Sequence, residues 1–284
     1  TWELDRLRRV FWGTDQKLML LKGAAYTVRD LPWARGRIST DVDVLVARAE
    51  LEGVEAALIH AGWQPARTSE YDQKYYREWM HELPPLRHPE RQTVIDVHHT
   101  ILPPTGRVRV DGARLLERAR VVDDRFLVLS DADMLLHSAV HLFQDGEVRG
   151  GVRDLLDQAG MIRHFGQDPA FWPDVIARAQ ELGLTRPLYY SLRYAERLLG
   201  APVPDSVPDH VRDAVRPMGP GPMVRGLMDR LVEAAIAPAY MFEPRKGAAL
   251  AGEMLYLRSH WLKMPPAMLA RHLATKALKR IRFS

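Results

Sequence analysis

The segment from residue 36 to residue 46 constrains the fold more than any other part of the chain, because a strand pattern there carries two acids. Its sequence is Gly36-Arg37-Ile38-Ser39-Thr40-Asp41-Val42-Asp43-Val44-Leu45-Val46. Successive side chains on a strand point to opposite faces. One face is mostly apolar and is interrupted by a threonine, with Ile38, Thr40, Val42, Val44 and Val46. The other face carries Ser39, Asp41 and Asp43.

Asp41 and Asp43 are therefore two carboxylates side by side on an apolar strand. They repel each other and resist desolvation, so a positive charge must lie nearby if both stay ionised. Two interpretations are open from these residues alone. A divalent cation such as Mg²⁺ binds a few carboxylate oxygens and fills its other positions with water and phosphate. A solvated edge strand with an acidic outer face fits so short a pattern equally well.

The segment from Lys17 to Tyr26 reads as a short apolar strand, a glycine turn and the start of a helix. Backbone N–H groups at such a turn can approach a phosphate closely, and the positive end of the helix dipole favours an anion there. Gly23 provides the turn, and Lys22 adds a mobile positive charge at the same place. The pattern indicates a phosphate-binding segment.

A second strand pattern occurs at Thr93-Val94-Ile95-Asp96-Val97-His98-His99. Asp96 and His98 share one face of this strand, opposite to its apolar residues. If the strand lies beside the first acidic strand, Asp96 becomes a third acid at the same place. Three carboxylates from two strands would strengthen the metal interpretation.

These motifs together resemble a group of uncharacterised nucleotidyltransferases in the DNA polymerase beta-like nucleotidyltransferase superfamily. The resemblance rests on Leu21-Lys22-Gly23-Ala24-Ala25, on Arg37 followed by Ser39-Thr40-Asp41-Val42-Asp43-Val44-Leu45-Val46, and on Ile95-Asp96-Val97-His98. It continues weakly through His141-Leu142-Phe143 and Arg153-Asp154-Leu155-Leu156-Asp157, so it covers roughly residues 1–165.

The resemblance implies an α+β fold, in which an N-terminal mixed β-sheet flanked by helices is followed by an α-helical region. It implies a metal-dependent enzyme that moves a nucleoside monophosphate from an NTP, the co-substrate, to a hydroxyl or phosphate acceptor and releases pyrophosphate. Two Mg²⁺ ions would serve as cofactors, with Mn²⁺ as an alternative. The acceptor stays open among a small molecule, a peptide or protein, and RNA.

The resemblance also assigns roles to residues. As catalytic residues and metal ligands it implies Asp41, Asp43 and Asp96. For nucleotide binding it implies Lys22, Gly23, Ala24, Arg37, Ser39 and Asp157. For the wall of the cleft it implies His98, His141 and Arg153. Arg153 and Asp157 lie four residues apart on a predicted helix, and a simpler interpretation is that they pair on the surface of that helix.

One feature departs from the superfamily pattern. The usual Gly-Gly or Gly-Ser pair is Gly23-Ala24 here, and the spacing to the acidic strand is longer. No side-chain hydroxyl follows Gly23, and Ser39 is the substitute that its predicted face suggests. The altered motif leaves room for an alternative, a non-catalytic module that binds a nucleotide or a partner on the same fold.

The histidines do not form a metal-site pattern. Their spacing matches no tight set of zinc ligands, as the positions His81, His88, His98 and His99 show. The adjacent His-Asp pair that an HD-type phosphohydrolase needs does not occur in the sequence. We therefore do not expect these histidines to bind zinc, and the resemblance places His98 in the wall of the cleft.

Length and composition complete the prediction. With 284 residues, the chain has room for a catalytic domain at 1–128 and a helical domain at 129–284 that completes the cleft and binds the acceptor. Proline-rich stretches predict an internal break near 201–222. No cysteine, no signal peptide and no long apolar segment is found, so we expect a cytoplasmic protein without a transmembrane segment. A basic helix near 271–282 is either solvated or contacts an anionic partner.

Overall fold

The structure is a computed structural model, and it describes residues 2–36, 41–66, 73–146, 148–199, 207–237 and 247–271. The chain divides into two compact units, each described here by itself. The first comprises Thr1–Pro104 and Val110–His137, and the second comprises Thr105–Arg109 and Ser138–Ser284. Arg37, Ser39 and the basic segment 272–282 lie outside the described residues. The domain limits at 1–128 and 129–284 stay a prediction.

The first unit is built on a seven-stranded sheet with the order β3-β4-β5-β2-β1-β7-β6. Its strands are β1 (Leu18–Leu20), β2 (Asp41–Leu45), β3 (Gln64–Pro65), β4 (Leu86–Arg87), β5 (Val94–His98), β6 (Arg120–Val121) and β7 (Phe126–Val128). The pairs β2–β5 and β1–β7 are parallel, whereas the other pairs are antiparallel. The mixed sheet that the sequence predicted is confirmed.

Helices accompany this sheet, as the sequence also predicted. The first unit contains Trp2–Val10, Lys22–Val28, Leu51–His60 and Gly112–Glu117. Gly112 lies against the end of β5, because a Cβ atom built on it would be only 2.0 Å from the backbone oxygen of His99. The side chain of Asp111 accepts a hydrogen bond from the backbone N–H of Ala113 and so caps this helix. The close approach fixes the helix over the end of the strand.

The apolar faces of β2 and β5 hold the two strands in register. Val44 and Val97 are each 1% exposed, and Val42 and Ile95 are also buried. Full burial of a side chain of this size stabilises a fold by about 1.5–3 kcal/mol. A slip of one residue would turn the acids into the core and the valines outwards. The register of the acidic residues is thus set by the apolar residues between them.

The second unit is helical, as predicted for the C-terminal region. Its helices are Val152–Phe165, Phe171–Glu181, Thr185–Leu199, Asp209–Val215, Pro222–Ala235 and Ala248–Lys263, and the unit boundary falls within the helix Asp131–Phe143. Phe143 and Tyr190 pack with Tyr194 in its core, with ring centroids 5.5 and 5.8 Å from that of Tyr194. Among the described helices, none has the length and apolar character needed to cross a membrane.

Candidate active site

The parallel pairing of β2 and β5 brings the predicted acids together. Asp43 lies directly opposite Asp96 in this pairing, so both side chains share one face of the sheet. Asp41, two residues before Asp43, shares the same face and is exposed. Asp43 is only 5% exposed, whereas Asp96 is half-buried. Three carboxylates from two adjacent strands thus lie on one face, with one of them open to solvent.

Asp43 is neutralised by the protein itself. Its Oδ1 accepts a hydrogen bond from Nζ of Lys22 at 2.8 Å and lies 3.1 Å from Nε2 of His98. Burial alone would raise the pKa of Asp43, but the hydrogen bond with His98 and the charge of Lys22 together lower it well below its usual value. The carboxylate is therefore ionised at neutral pH.

Lys22 reaches Asp43 from an unusual backbone conformation. Its φ angle is +44°, in the left-handed region that costs a side-chain-bearing residue about 1 kcal/mol or more. Burial would lower the pKa of Lys22, yet the charge of Asp43 raises it above the ordinary value. Gly23 and Ala24 follow in the first turn of the helix Lys22–Val28, so the predicted phosphate-binding segment begins beside Asp43.

The environment of Asp96 shifts its pKa in the direction opposite to that of Asp43. Burial raises its pKa to about 7, and the charges of Asp43 and Glu82 act in the same direction. Its Oδ1 is buried without a hydrogen-bond partner among the described residues. A buried carboxylate oxygen that lacks a partner is a feature that a bound cation would satisfy. The donor set of Asp41, Asp43 and Asp96 therefore fits a divalent metal ion.

Glu82 is a residue of this site that the sequence did not indicate. It faces His98 through an antiparallel bridge, and its Oε2 lies 3.4 Å from Nδ1 of His98. Burial would lower the pKa of His98, but the hydrogen bond with Asp43 and the charge of Glu82 raise it. His98 thus lies between two carboxylates, which favour its protonated form. Only the long-range pairing places Glu82 here.

Two of the histidines also come together at this place. The rings of His81 and His98 stack with their centroids 5.4 Å apart. Ligand atoms of His81, Glu82 and His98 lie within 4.8 Å of one another, as in a group able to hold a metal ion. His88 packs instead on the ring of Trp63. The spacing along the chain did not indicate this grouping.

The remaining predicted residues lie in the second unit or outside the described residues. His141 belongs to the helix Asp131–Phe143, while Arg153 and Asp157 belong to the helix Val152–Phe165. Asp157 is buried and Arg153 is exposed. Their contribution to one cleft with the strand acids stays a prediction.

The fold and these acids define the class of protein. A mixed sheet with flanking helices and carboxylates on two neighbouring strands is the architecture expected of a nucleotidyltransferase. Residues 1–200 match the family described as uncharacterised nucleotidyltransferase, and the chain belongs to this family. The match confirms the resemblance found in the sequence and extends into the helix Thr185–Leu199. Comparison with curated proteins and with solved structures gives no match.

The titrating groups predict how stability depends on pH. We expect the free energy of unfolding to fall by on the order of 2 kcal/mol between about pH 5 and about pH 8. Asp96 keeps its proton up to a pKa of about 7 in the folded state, so over this range the folded chain binds more protons than the unfolded chain. The raised pKa of His98 acts in the same direction.

The lowered pKa of Asp43 stabilises the fold at pH values above 3.8, the ordinary pKa of this group. It does not change how stability depends on pH between about pH 5 and about pH 8. Denaturant titrations of the metal-free protein at several pH values measure the slope. Asp96→Asn should reduce it, since an amide cannot titrate. A wild-type stability that rises with pH, or an unchanged slope in the variant, would contradict the assignment.

Proposed function

We propose that this chain catalyses the Mg²⁺-dependent transfer of a nucleoside monophosphate from an NTP to a hydroxyl or phosphate acceptor, with release of pyrophosphate. The observation that supports this most directly is the set of acids Asp41, Asp43 and Asp96 on one face of two paired strands. The unpartnered Oδ1 of Asp96 supports a cation at this place. Membership in the nucleotidyltransferase family supports the reaction class.

The three carboxylates would hold two Mg²⁺ ions, which when bound orient the triphosphate and lower the pKa of the acceptor hydroxyl. The acceptor oxygen attacks the α-phosphorus, and the bond from that phosphorus to the bridging oxygen of the β-phosphate breaks. Pyrophosphate carries away the electron pair of that bond. Asp96 is also proposed to take the acceptor proton.

Lys22 is proposed to act on the phosphates. A divalent ion at Asp43 would replace the ammonium group as the partner of that carboxylate, which frees Lys22 Nζ for a phosphate oxygen. Backbone N–H groups of Gly23 and Ala24 would add neutral donors. Arg37 and Ser39 keep the nucleotide-binding role that the resemblance implies.

The acceptor is proposed to bind with the help of the helical region 129–284. Asp157, His141 and Arg153 are the residues that the resemblance assigns to nucleotide binding and to the wall of the cleft. The segment 271–282 is proposed to contact an anionic partner. A small molecule, a peptide or protein, and RNA all provide the hydroxyl or phosphate that the reaction needs.

A second candidate function is nucleotide or partner binding without catalysis. The observation that favours it is the neutralisation of Asp43 by Lys22 and His98, which stabilises the carboxylate without a metal ion. A cation must displace these contacts before it can use Asp43. If the displacement does not occur, the fold retains a nucleotide pocket without the means to activate an acceptor.

Calorimetric titration of each NTP in Mg²⁺ and then in EDTA tests the proposal. Asp41→Asn is a suitable variant, because Asp41 is exposed and has no partner among the described residues. Asp124→Asn removes an equally exposed charge elsewhere in the same unit and serves as the control. We expect at least one NTP to bind in Mg²⁺ to the wild type and to Asp124→Asn, and to bind at least about tenfold more weakly to Asp41→Asn.

Binding that is equal in EDTA, or equal in Asp41→Asn, would contradict a metal site on the acidic strand. Pyrophosphate release is then measured with hydroxyl-bearing and phosphorylated acceptors. Metal-dependent binding without any release across that panel would favour the non-catalytic function.

A further inference from the structure

The second unit contains a cavity that the proposed reaction does not use. Its volume is about 860 Å³, within the range of about 300–1,000 Å³ that is typical of small-molecule sites. Its lining residues in the described part of the chain lie between Tyr189 and Arg225. Most of this stretch follows residue 200, where the match to the family ends.

One helix face forms a side of the cavity. Tyr189, Leu192, Arg193, Glu196 and Arg197 line it and recur at the three- and four-residue spacing of a single face. The buried face of the same helix packs into the core of the unit. The helix therefore separates the core from the cavity, with arginines on the cavity side.

A close backbone contact holds one lining residue of the cavity in place. A Cβ atom built on Gly219 would lie 2.5 Å from the ring of Tyr189. The turn before the helix Pro222–Ala235 consequently rests directly on that ring. Tyr189 is held in place as part of the apolar lining, together with Leu192, Val207 and Val215.

Two arginines of the cavity are held by acids of a neighbouring helix. Arg193 donates from Nε and Nη2 to the two carboxylate oxygens of Asp229, at 2.8 and 2.6 Å. Arg197 donates from Nε to Glu233 at 2.5 Å. These bonds fix both guanidinium groups and neutralise much of their charge. Arg193 and Arg197 therefore shape the wall of the cavity and supply little free charge to it.

Two further arginines of the lining have no partner among the described residues, and the lining also includes the carboxylates of Glu196, Asp209 and Asp213. Arg216 and Arg225 line the cavity, and neither makes an ion pair or hydrogen bond with another described residue. Arg216 is exposed and Arg225 is half-buried. A guanidinium group offers a planar fork of donors that matches phosphate oxygens. Two such groups without a described partner, beside an apolar wall, have the chemistry to hold an amphipathic anion.

We propose that this cavity binds a small organic phosphate, whose phosphate group is held by Arg216 and Arg225 and whose organic part packs on Tyr189 and Leu192. A concave space of this volume suits a small molecule better than a nucleic-acid backbone, which binds to open basic surfaces. The site goes beyond the proposed nucleotidyl transfer and does not depend on it, because it uses none of the residues assigned to that reaction.

Calorimetry with 1-naphthyl phosphate in EDTA tests the proposal, with inorganic phosphate and 1-naphthol as comparison probes. The wild type should bind 1-naphthyl phosphate at least about tenfold more tightly than either of them, because only this probe makes both kinds of contact. Arg216→Gln/Arg225→Gln should weaken that binding by about tenfold or more. The matched control is Arg163→Gln/Arg230→Gln, which removes two exposed charges of the same unit outside the cavity.

Lys22→Met separates this proposal from the proposed function, since it removes the phosphate-binding side chain proposed beside the strand acids and should leave the binding of 1-naphthyl phosphate in the cavity unchanged. Loss of binding in that variant would place the probe at the strand acids and overturn the cavity site. Equal weakening in the control pair, equal binding of 1-naphthol, or a wild-type Kd above about 1 mM would also overturn it. If the double variant has a lowered Tm, Arg225→Gln is compared with Arg230→Gln on the same helix.

Discussion

Asp96→Asn is expected to lower nucleotidyl transfer by at least about a hundredfold while the fold stays intact. The amide keeps the shape of the carboxyl group but cannot take a negative charge, so it binds a divalent cation poorly. In the metal-free protein the same change relieves repulsion, because the charges of Asp43 and Glu82 already raise the pKa of Asp96 to about 7. We therefore expect stability at about pH 8 to be unchanged or higher by about 1 kcal/mol.

The measurement combines pyrophosphate release with denaturant unfolding of the same preparation. Asp124→Asn again provides the control, since it removes an exposed carboxylate of the same unit. Transfer retained in Asp96→Asn would exclude this residue from the reaction. Transfer lost together with several kcal/mol of stability would instead assign Asp96 to the fold.

Asp43→Asn is expected to behave differently, with a loss of transfer and also of about 3 kcal/mol of stability. Asp43 is buried and bound to Lys22 and His98, so its replacement leaves the Lys22 ammonium group and the His98 ring without their shared partner. Removal of one member of a buried ion pair costs more than replacement of both. The double variant Lys22→Met/Asp43→Asn should therefore recover part of the lost stability without recovering transfer.

A double-mutant cycle measures this coupling. The free energies of unfolding of the wild type, Lys22→Met, Asp43→Asn and the double variant yield an interaction energy that we expect to exceed about 1 kcal/mol. A control cycle pairs Lys22→Met with Asp124→Asn, which removes an exposed carboxylate of the same unit, and its effects should add. Additive effects in the first cycle would show that the bond between Lys22 and Asp43 does not stabilise the protein.

The sequence predicted the strands of the site well because alternation on a strand is a local property. The faces of Asp41, Asp43 and Asp96 follow from the apolar residues between them, and the structure places Asp43 directly opposite Asp96. The source of the positive charge that balances Asp43 was harder to predict. Charge repulsion indicated that a cation was needed, but Lys22 was assigned to phosphate, since its contact with Asp43 depends on how β1 and β2 pair.

Glu82 and the cavity arginines were not predicted for a similar reason. Glu82 reaches His98 only because the chain returns antiparallel to β5. Arg216 lies within the stretch 201–222 that was predicted as a proline-rich break, and Arg225 follows it. Nothing in their spacing connects them to the helix Thr185–Leu199. Local periodicity identifies an element, whereas the packing of distant elements decides which charges meet.

The position of β1 in the sheet determines when the acidic site can form. β1 lies between β2 and β7, and its parallel partner Phe126–Val128 is made roughly a hundred residues later. Pairing over such a distance raises the contact order, which slows folding because a long loop must close first. On the ribosome, a nascent chain that has already produced Asp43 and Asp96 still lacks the strand that completes the sheet around them. Metal binding is therefore expected to follow the emergence of β7 rather than to guide the earlier steps of folding.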